Sequence, residues 1–339
     1  MHAQLPAPAA IKDAPVGTPL DSLLDSTTPL VIRGLVADWP AVQAARRDSI
    51  AAAAYLRGFA NDAVPATATI APPDAQGRIF YDAAMTGFNF RREPVSTSVA
   101  LATLVRQLDA ASPPTIYLAA TTLDTFFPGF SAANPLDFGS RAPLASLWIG
   151  NRTRVPAHHD QPDNLACVVA GRRRFTLFPP EQVGNLYIGP LDFTPAGQPV
   201  SLVDMAAPDL DRFPNFPQAW SQAQVAELGP GDAILIPALW WHAIDALENF
   251  NVLANYWWRR VPDWMDSPTS ALMTALLTIR QLPDHERAHW KRIFDHYVFD
   301  ADASTAAHIP EQARGVLAPF NESGASHLRR NLRTRLQRE

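Results

Sequence analysis

The sequence has 339 residues, 47% of them hydrophobic and 18% charged, the composition of a folded globular chain rather than a disordered or fibrous one. Its 28 Lys and Arg against 33 Asp and Glu give a formal net charge of −5, so the long-range positive field that draws in phosphate backbones is missing and nucleic acid is not expected as a partner. The single cysteine, Cys167, excludes an internal disulfide and fits a reducing, cytoplasmic setting.

In chain order, residues 1–18 are rich in Ala and Pro without apolar periodicity, which predicts an extended arm lying on the domain. Its start, MHAQLPAPAAIKDAP, has neither a basic head nor a continuous apolar stretch, so neither a secretory signal nor an anchor is expected there. No run approaches the ~20 apolar residues of a membrane span. The run PLVIRGLV at 29–36 predicts a short strand ending in a turn, followed by an Ala-rich helix over about 39–59 and another over about 97–110.

From residue 114 to 258 short apolar runs alternate with Pro, Gly, Asn and Asp, the pattern of an antiparallel barrel or sandwich. Strands are predicted at 115–120, 146–154, 165–170, 173–178, 224–228, 233–237, 242–246 and 251–258, a set that suits a double-stranded β-helix. Ala170-Gly171 reads as a hairpin turn and Gly229-Pro230-Gly231-Asp232 as a second tight turn. Cys167, inside LACVVA, reads as core rather than nucleophile.

Beyond Pro262 the period becomes helical, with Leu272, Ala275, Leu276 and Ile279 in one segment and Trp290, Ile293, Phe294, Tyr297 and Val298 in the next. The expected organisation is an arm (1–18), a main domain (19–262) and a helical region (263–339). His285, His289, His296, His308 and His327 are expected on these helices as solvated or capping residues. Arg329, Arg330, Arg333, Arg335 and Arg338 read as a solvated helix face, with an RNA-binding tail as the alternative.

The segment VPAHHD places His158 and Asp160 two apart, so on an extended strand both project from one face and can reach one ion. A third ligand is available in His242, within IPALWWH, one strand after the PGD turn. Two His and one carboxylate leave coordination positions open, as non-haem Fe(II) oxygenases require; structural zinc prefers closed tetrahedral N/S sites, so iron or manganese is favoured. His159 should face the other way and pack.

The strings VPAHHDQPDNLACVVAGRRRFTLFPPEQVGNLYIGP, DMAAPDLDRFPNFP, PGDAILIPALWWHAIDAL and NVLANYWW, in this order, resemble the cupin-like JmjC oxygenases from about residue 29 to 258. The resemblance implies an all-β core with helices, a jelly-roll double-stranded β-helix flanked by N- and C-terminal helices. It implies Fe(II) held by His158, Asp160 and His242, with 2-oxoglutarate as co-substrate. The position of the family's co-substrate lysine is Arg173 here, which keeps the charge and adds a fork shaped for a carboxylate. Tyr117, Asn164 and Asn255 match residues near the co-substrate, and Trp257 matches an aromatic beside the iron. Related oxygenases pair through C-terminal helices, and the apolar stripes here need a partner surface, so a homodimer is expected.

Two departures stand out against the family's asparaginyl-hydroxylase members. Val155 replaces a threonine that helps hold the co-substrate. Pro199 and Val200 replace the Arg-Gln pair that grips the peptide, and Ala119 replaces a Gln near the site, which implies a different substrate. The expected activity is hydroxylation of a protein or peptide side chain, or of an amino-acid-like substrate, with Trp240, Trp241, Trp257 and Phe250 enclosing the site. Two alternatives stay open: a metal-dependent cupin that does not use 2-oxoglutarate and so has no need of Arg173, and a non-catalytic cupin-like ligand-binding protein.

Overall fold

Period-two apolar patterning decides which way each strand faces in the computed structural model, which describes residues 5–337. Chain contacts divide the protein into two units, Met1–Arg259 and Arg260–Glu339. In the first, β1 (Ala9–Ala10), β2 (Leu30–Ile32), β3 (Ala66–Ala71), β4 (Arg91–Val95) and β5 (Thr115–Thr122) precede eight strands that make the jelly roll. These are β6 (Leu144–Gly150), β7 (Arg154–His158), β8 (Asp163–Ala170), β9 (Arg173–Phe178), β10 (Gln224–Leu228), β11 (Ala233–Ile236), β12 (Trp241–Ala246) and β13 (Asn251–Trp258). The smaller sheet runs β1-β10-β9-β12-β7 and the larger β2-β11-β8-β13-β6-β5-β3-β4. The eight jelly-roll strands thus fall four and four, every ladder among them antiparallel.

Alternation divides the apolar residues among three cores. On β8, Leu165, Cys167 and Val169 join a cluster with Leu56, Leu101 and Phe130 of the flanking helices, while Ala166 and Val168 point between the sheets. Burial pushes the Cys167 thiol up, as befits an inert core residue. On β9, Phe175 and Leu177 share the space between the sheets with Ile234, Ile236 and Leu253. Trp241 and Ala243 of β12 turn to a third cluster with Phe178, Leu186 and Phe216. Because inward positions alternate with outward ones, the interior faces of β8, β9, β12 and β13 can carry polar residues without disturbing the outer cores.

Several expected elements differ. The helix expected over 39–59 is two, Pro40–Arg47 and Ser49–Arg57, because Asp48 is fully extended (φ −173°, ψ 172°) and its carboxylate caps the second helix through the Ala51 amide at 2.7 Å. The helix expected over 97–110 ends at Arg106. The strand expected at 146–154 is β6 and β7, which lie in different sheets. Ala170-Gly171 is not a hairpin either, since β8 and β9 also belong to different sheets, and the Gly229–Asp232 turn makes a similar crossing from β10 to β11. Three strands, β1, β3 and β4, lie outside the expected set. The arm crosses both sheet edges: Ala9 and Ala10 add in parallel to β10, and Lys12 O accepts the Val31 amide at 2.9 Å.

Gly171 makes the tight crossing possible. Its φ is +72°, and a Cβ there would lie 2.3 Å from Asn251 Oδ1 and 2.5 Å from Phe250 O. Gly171→Ala is therefore expected to destabilise the first unit by about 2 kcal/mol or more. Chemical denaturation checks this; a midpoint equal to wild type would contradict it.

The second unit holds helices Pro268–Thr278, Asp284–Phe294 and Glu322–Leu336, none containing a buried residue. Leu277 and Phe299 are 75% and 73% exposed. His285, His289 and His327 are helical and His296 sits in a π-turn, but His308 lies in a turn rather than on a helix. Arg329 pairs with Asp266 at 2.8 Å, Arg330, Arg333 and Arg335 are exposed, and Arg338 lies outside the described residues. No helix among the described residues is long and apolar enough to cross a membrane.

Candidate metal centre and its cavity

His158 closes β7, and Asp160 follows just beyond the strand's end. His242, second residue of β12, stands directly opposite His158 in the antiparallel ladder. The ligating atoms of the three lie within 4.8 Å of one another, with His242 Nε2 3.7 Å from Asp160 Oδ2. No other such group occurs among the described residues.

Each imidazole is oriented by the carbonyl two residues before it: His158 Nδ1 lies 2.9 Å from Pro156 O, and His242 Nδ1 3.0 Å from Trp240 O. That arrangement assigns the proton to Nδ1 and turns the Nε2 lone pair toward the centre. Burial, and next the neighbouring His158, hold His242 below the ordinary histidine range, so it is neutral, the form that ligates metal. Asp160 Oδ2 accepts hydrogen bonds from Trp257 Nε1 at 3.0 Å and Asn164 Nδ2 at 3.4 Å, and the Asp160 carbonyl accepts the Leu239 amide at 2.9 Å. The last contact ties the loop before His242, where Leu239 has φ +67°, to the other ligand segment. His159 faces away, edge-on to Trp241. Two imidazoles and one carboxylate, each braced by a second partner, fit a hard divalent ion with open positions.

The triad lines a cavity of about 320 Å³, toward the small end of ligand pockets, together with Tyr117, Asn164, Arg173, Asn255 and Trp257. Alternation explains the grouping, since Asn255 and Trp257 share the inward face of β13 with Leu253, and Arg173 shares that of β9 with Phe175 and Leu177. Arg172 and Arg174 point outward to Glu248 and Glu227, at 2.8 and 2.6 Å. Arg173 is 1% exposed, with Nη2 donating to Trp148 O at 3.2 Å and a hydrogen bond to Tyr117. Its Nε has no partner and no carboxylate faces it among the described residues. Burial, partly offset by Arg173, pushes the Tyr117 phenol up to about 12, which keeps it a neutral donor. Asn164 Oδ1 is likewise buried without a partner.

Of the aromatics expected around the site, only Trp257 lines the cavity; Trp240, Trp241 and Phe250 belong to the three separate cores. Trp148 takes their place, donating from Nε1 to Asn255 Oδ1 at 2.6 Å and meeting Trp257 edge-on at 5.7 Å. Val155, Ala119 and Val200 line the wall as apolar residues, whereas Pro199 does not reach it. Thr67, Thr69 and Arg92, none of them expected at the site, also line it. Thr67 and Thr69 of ATATIA stand two apart on one face, a faint period-two signal among small residues.

A family model for the cupin-like domain matches residues 18–264. The chain belongs to the cupin-like domain family. Curated relatives of this cupin-like chain include the Arabidopsis thaliana lysine-specific demethylase JMJ31, 29% identical over 156 residues that make up 44% of this chain and 28% of that protein. The Mus musculus tRNA wybutosine-synthesizing protein 5 is 33% identical over 170 residues, 46% of this chain and 48% of that protein. The Homo sapiens HSPB1-associated protein 1 is 32% identical over 156 residues, 44% and 31% of the two chains. The cupin-like chain thus spans less than half the length of each of these relatives.

Proposed function

We propose that this cupin-like protein is an Fe(II)- and 2-oxoglutarate-dependent oxygenase that hydroxylates a protein or peptide side chain or an amino-acid-like substrate. The observation that carries the reading is one cavity with two poles, a braced His-Asp-His triad and a fully buried arginine that lacks an anion. When bound, the iron would supply dioxygen activation coupled to oxidative decarboxylation of 2-oxoglutarate to succinate.

The chain's own residues do the rest. His158, Asp160 and His242 hold the ion from one side, and Trp257 and Asn164 fix the carboxylate that completes the set. Arg173 and Tyr117 receive the distal carboxylate of 2-oxoglutarate, the fork supplying charge and the neutral phenol a further donor. Val155 offers that carboxylate no hydroxyl, so the cavity relies on this pair. The apolar wall of Val155, Val200, Ile244 and Leu253 keeps water from the reacting bond. A cupin indifferent to oxo-acids would have no need to bury Arg173 with an orphaned Nε, a costly arrangement without an anion. The relatives named for a lysine demethylase and for tRNA modification show that one fold serves different substrates; the net charge of −5 favours an amino-acid-type one here. Unburied apolar residues on the C-terminal helices support pairing with a second copy.

Anaerobic titration with Mn(II), read by electron paramagnetic resonance, is expected to give one bound ion per chain whose spectrum changes when 2-oxoglutarate is added. An unchanged spectrum would contradict co-substrate binding at the metal.

A further inference from the structure

The cavity has a cationic group that neither the metal nor the co-substrate uses. Arg92 lies on β4, and registers across the larger sheet place Arg92 opposite Thr69 and Thr69 opposite Tyr117. Residues directly opposite one another share a face, so Arg92, Thr69 and Tyr117 form one row, and all three line the cavity. At about 4.8 Å per strand, Arg92 begins roughly 10 Å from Tyr117. Arg173, bonded to Tyr117, marks one end of the row, and Arg92 the other.

Arg92 is held in place but not neutralised. One Nη2 proton goes to Pro195 O, and the guanidinium lies 5.4 Å from the Phe90 ring. No carboxylate pairs with it among the described residues, and a guanidinium has five N–H donors. Its neighbours are already matched: Arg91 pairs with Glu93 at 2.5 Å, while Arg78 and Arg154 share Asp204. Apart from Arg173, the positive charge lining the cavity is therefore a single fork, too little for a phosphodiester chain, which binds through many cations at once, and well shaped for one carboxylate. Thr67, Thr69 and Gln198 line the same wall and add hydrogen-bonding groups.

We propose that the primary substrate carries a carboxylate and that Arg92 receives it, setting the distance of the oxidised C–H bond from the metal. The assignment rests on Arg173 being the co-substrate's anchor, which leaves Arg92 free for the substrate. Arg92 is a specificity-determining residue rather than a catalytic one.

The test uses the full-length protein loaded with Mn(II) and saturating 2-oxoglutarate without oxygen, titrated calorimetrically at constant ionic strength. The probes are N-acetyl-aspartyl amide and N-acetyl-glutamyl amide, their neutral isosteres with Asn and Gln, N-acetyl-lysyl amide, and the free dicarboxylic acids malonate and succinate. Acidic probes are expected to bind about tenfold or more tightly than their isosteres. The capped amides against the free diacids tell an acidic side chain from a small-molecule acid. Arg92→Gln should bring the ratio to about one, Arg92→Lys should restore part of it, and Arg92→Glu should favour the lysyl probe. A merely structural role for Arg92 would not reverse charge preference. No measurable binding of any acidic probe, no preference for acids, or a preference that survives Arg92→Gln overturns the proposal, as does preferential binding of a short RNA oligomer. Failure of the oxygenase reading is separate, because it shows as no 2-oxoglutarate binding to wild type before any probe is added.

Discussion

Asp160→Ala is expected to abolish metal binding at micromolar concentrations and, with it, all 2-oxoglutarate turnover, while the fold persists. Asp160 is the only charged ligand of the three, and a divalent ion held by two neutral imidazoles alone loses most of its electrostatic stabilisation. Even partners that merely orient a ligand contribute about 10–100-fold in affinity, so losing the ligand itself should exceed that range. The carboxylate also organises its surroundings: Trp257 Nε1 and Asn164 Nδ2 both donate to Oδ2. Their loss of an acceptor is offset in part by removal of a largely buried charge, so the melting temperature should move by only a few degrees. Mn(II) titration and circular dichroism of the same preparation check both halves. Retained one-to-one metal binding in the Ala variant would remove Asp160 from the site.

Arg173→Met should produce the opposite combination, metal binding kept and co-substrate binding lost. The half-saturating 2-oxoglutarate concentration is expected to rise about a hundredfold or more, in line with losing one partner of a buried charge pair. Stability should hold or increase, because the unliganded protein buries this cation with an unpartnered Nε and no facing carboxylate, and an apolar side chain of similar length removes that desolvation cost. Arg173→Lys should fall between, since an ammonium keeps the charge but not the fork. Calorimetric 2-oxoglutarate binding to the Mn(II)-loaded variants reads this directly. Unchanged affinity in Arg173→Met would place the co-substrate elsewhere or dispense with it.

The jelly roll was legible wherever one strand carried a strong pattern. The bounds of β9, β10 and β13 agree with the expected ones because their apolar residues alternate or run together between clear turns. The grouping of the candidate triad was legible for a similar reason: HxD brings His158 and Asp160 to one side of an extended segment, and His242 follows the PGD turn and one strand. Less legible were strands whose chemistry resembles loops. β4 reads RREPV, and Pro94 with exposed charges is what an edge strand needs to discourage further pairing, yet the same residues argue against a strand when met in sequence. The break between β6 and β7 follows Gly150, which closes β6, but a single Gly also fits a strand interior; what sets the break is that Asn151 accepts the Ile116 amide at 3.0 Å and Thr153 O accepts the Ala246 amide at 2.8 Å, contacts with strands distant in sequence. Such contacts leave no local mark.

Sheet membership was the largest hidden quantity. A tight Gly turn between two apolar runs fits a hairpin and a crossing between sheets equally well, and only the packed structure decides that β8 and β9 part company at Gly171. The tryptophans show the same limit, since apolarity places Trp240 and Trp241 in a core without saying which of three cores it is. Arg173 is read from the sequence only through the resemblance to the family's co-substrate lysine; in the fold the strand period turns it toward the cavity and sends Arg172 and Arg174 outward.

Use of 2-oxoglutarate between the triad and Arg173 would be read out as succinate formation. The Fe(II)-loaded protein, supplied with 2-oxoglutarate and oxygen, should release succinate above the metal-free background. The rate should fall to that background in Asp160→Ala and recover in Arg173→Met only at greatly raised 2-oxoglutarate. No succinate from the wild-type protein with iron bound, or a rate indifferent to both substitutions, would rule out 2-oxoglutarate as the co-substrate of this cavity.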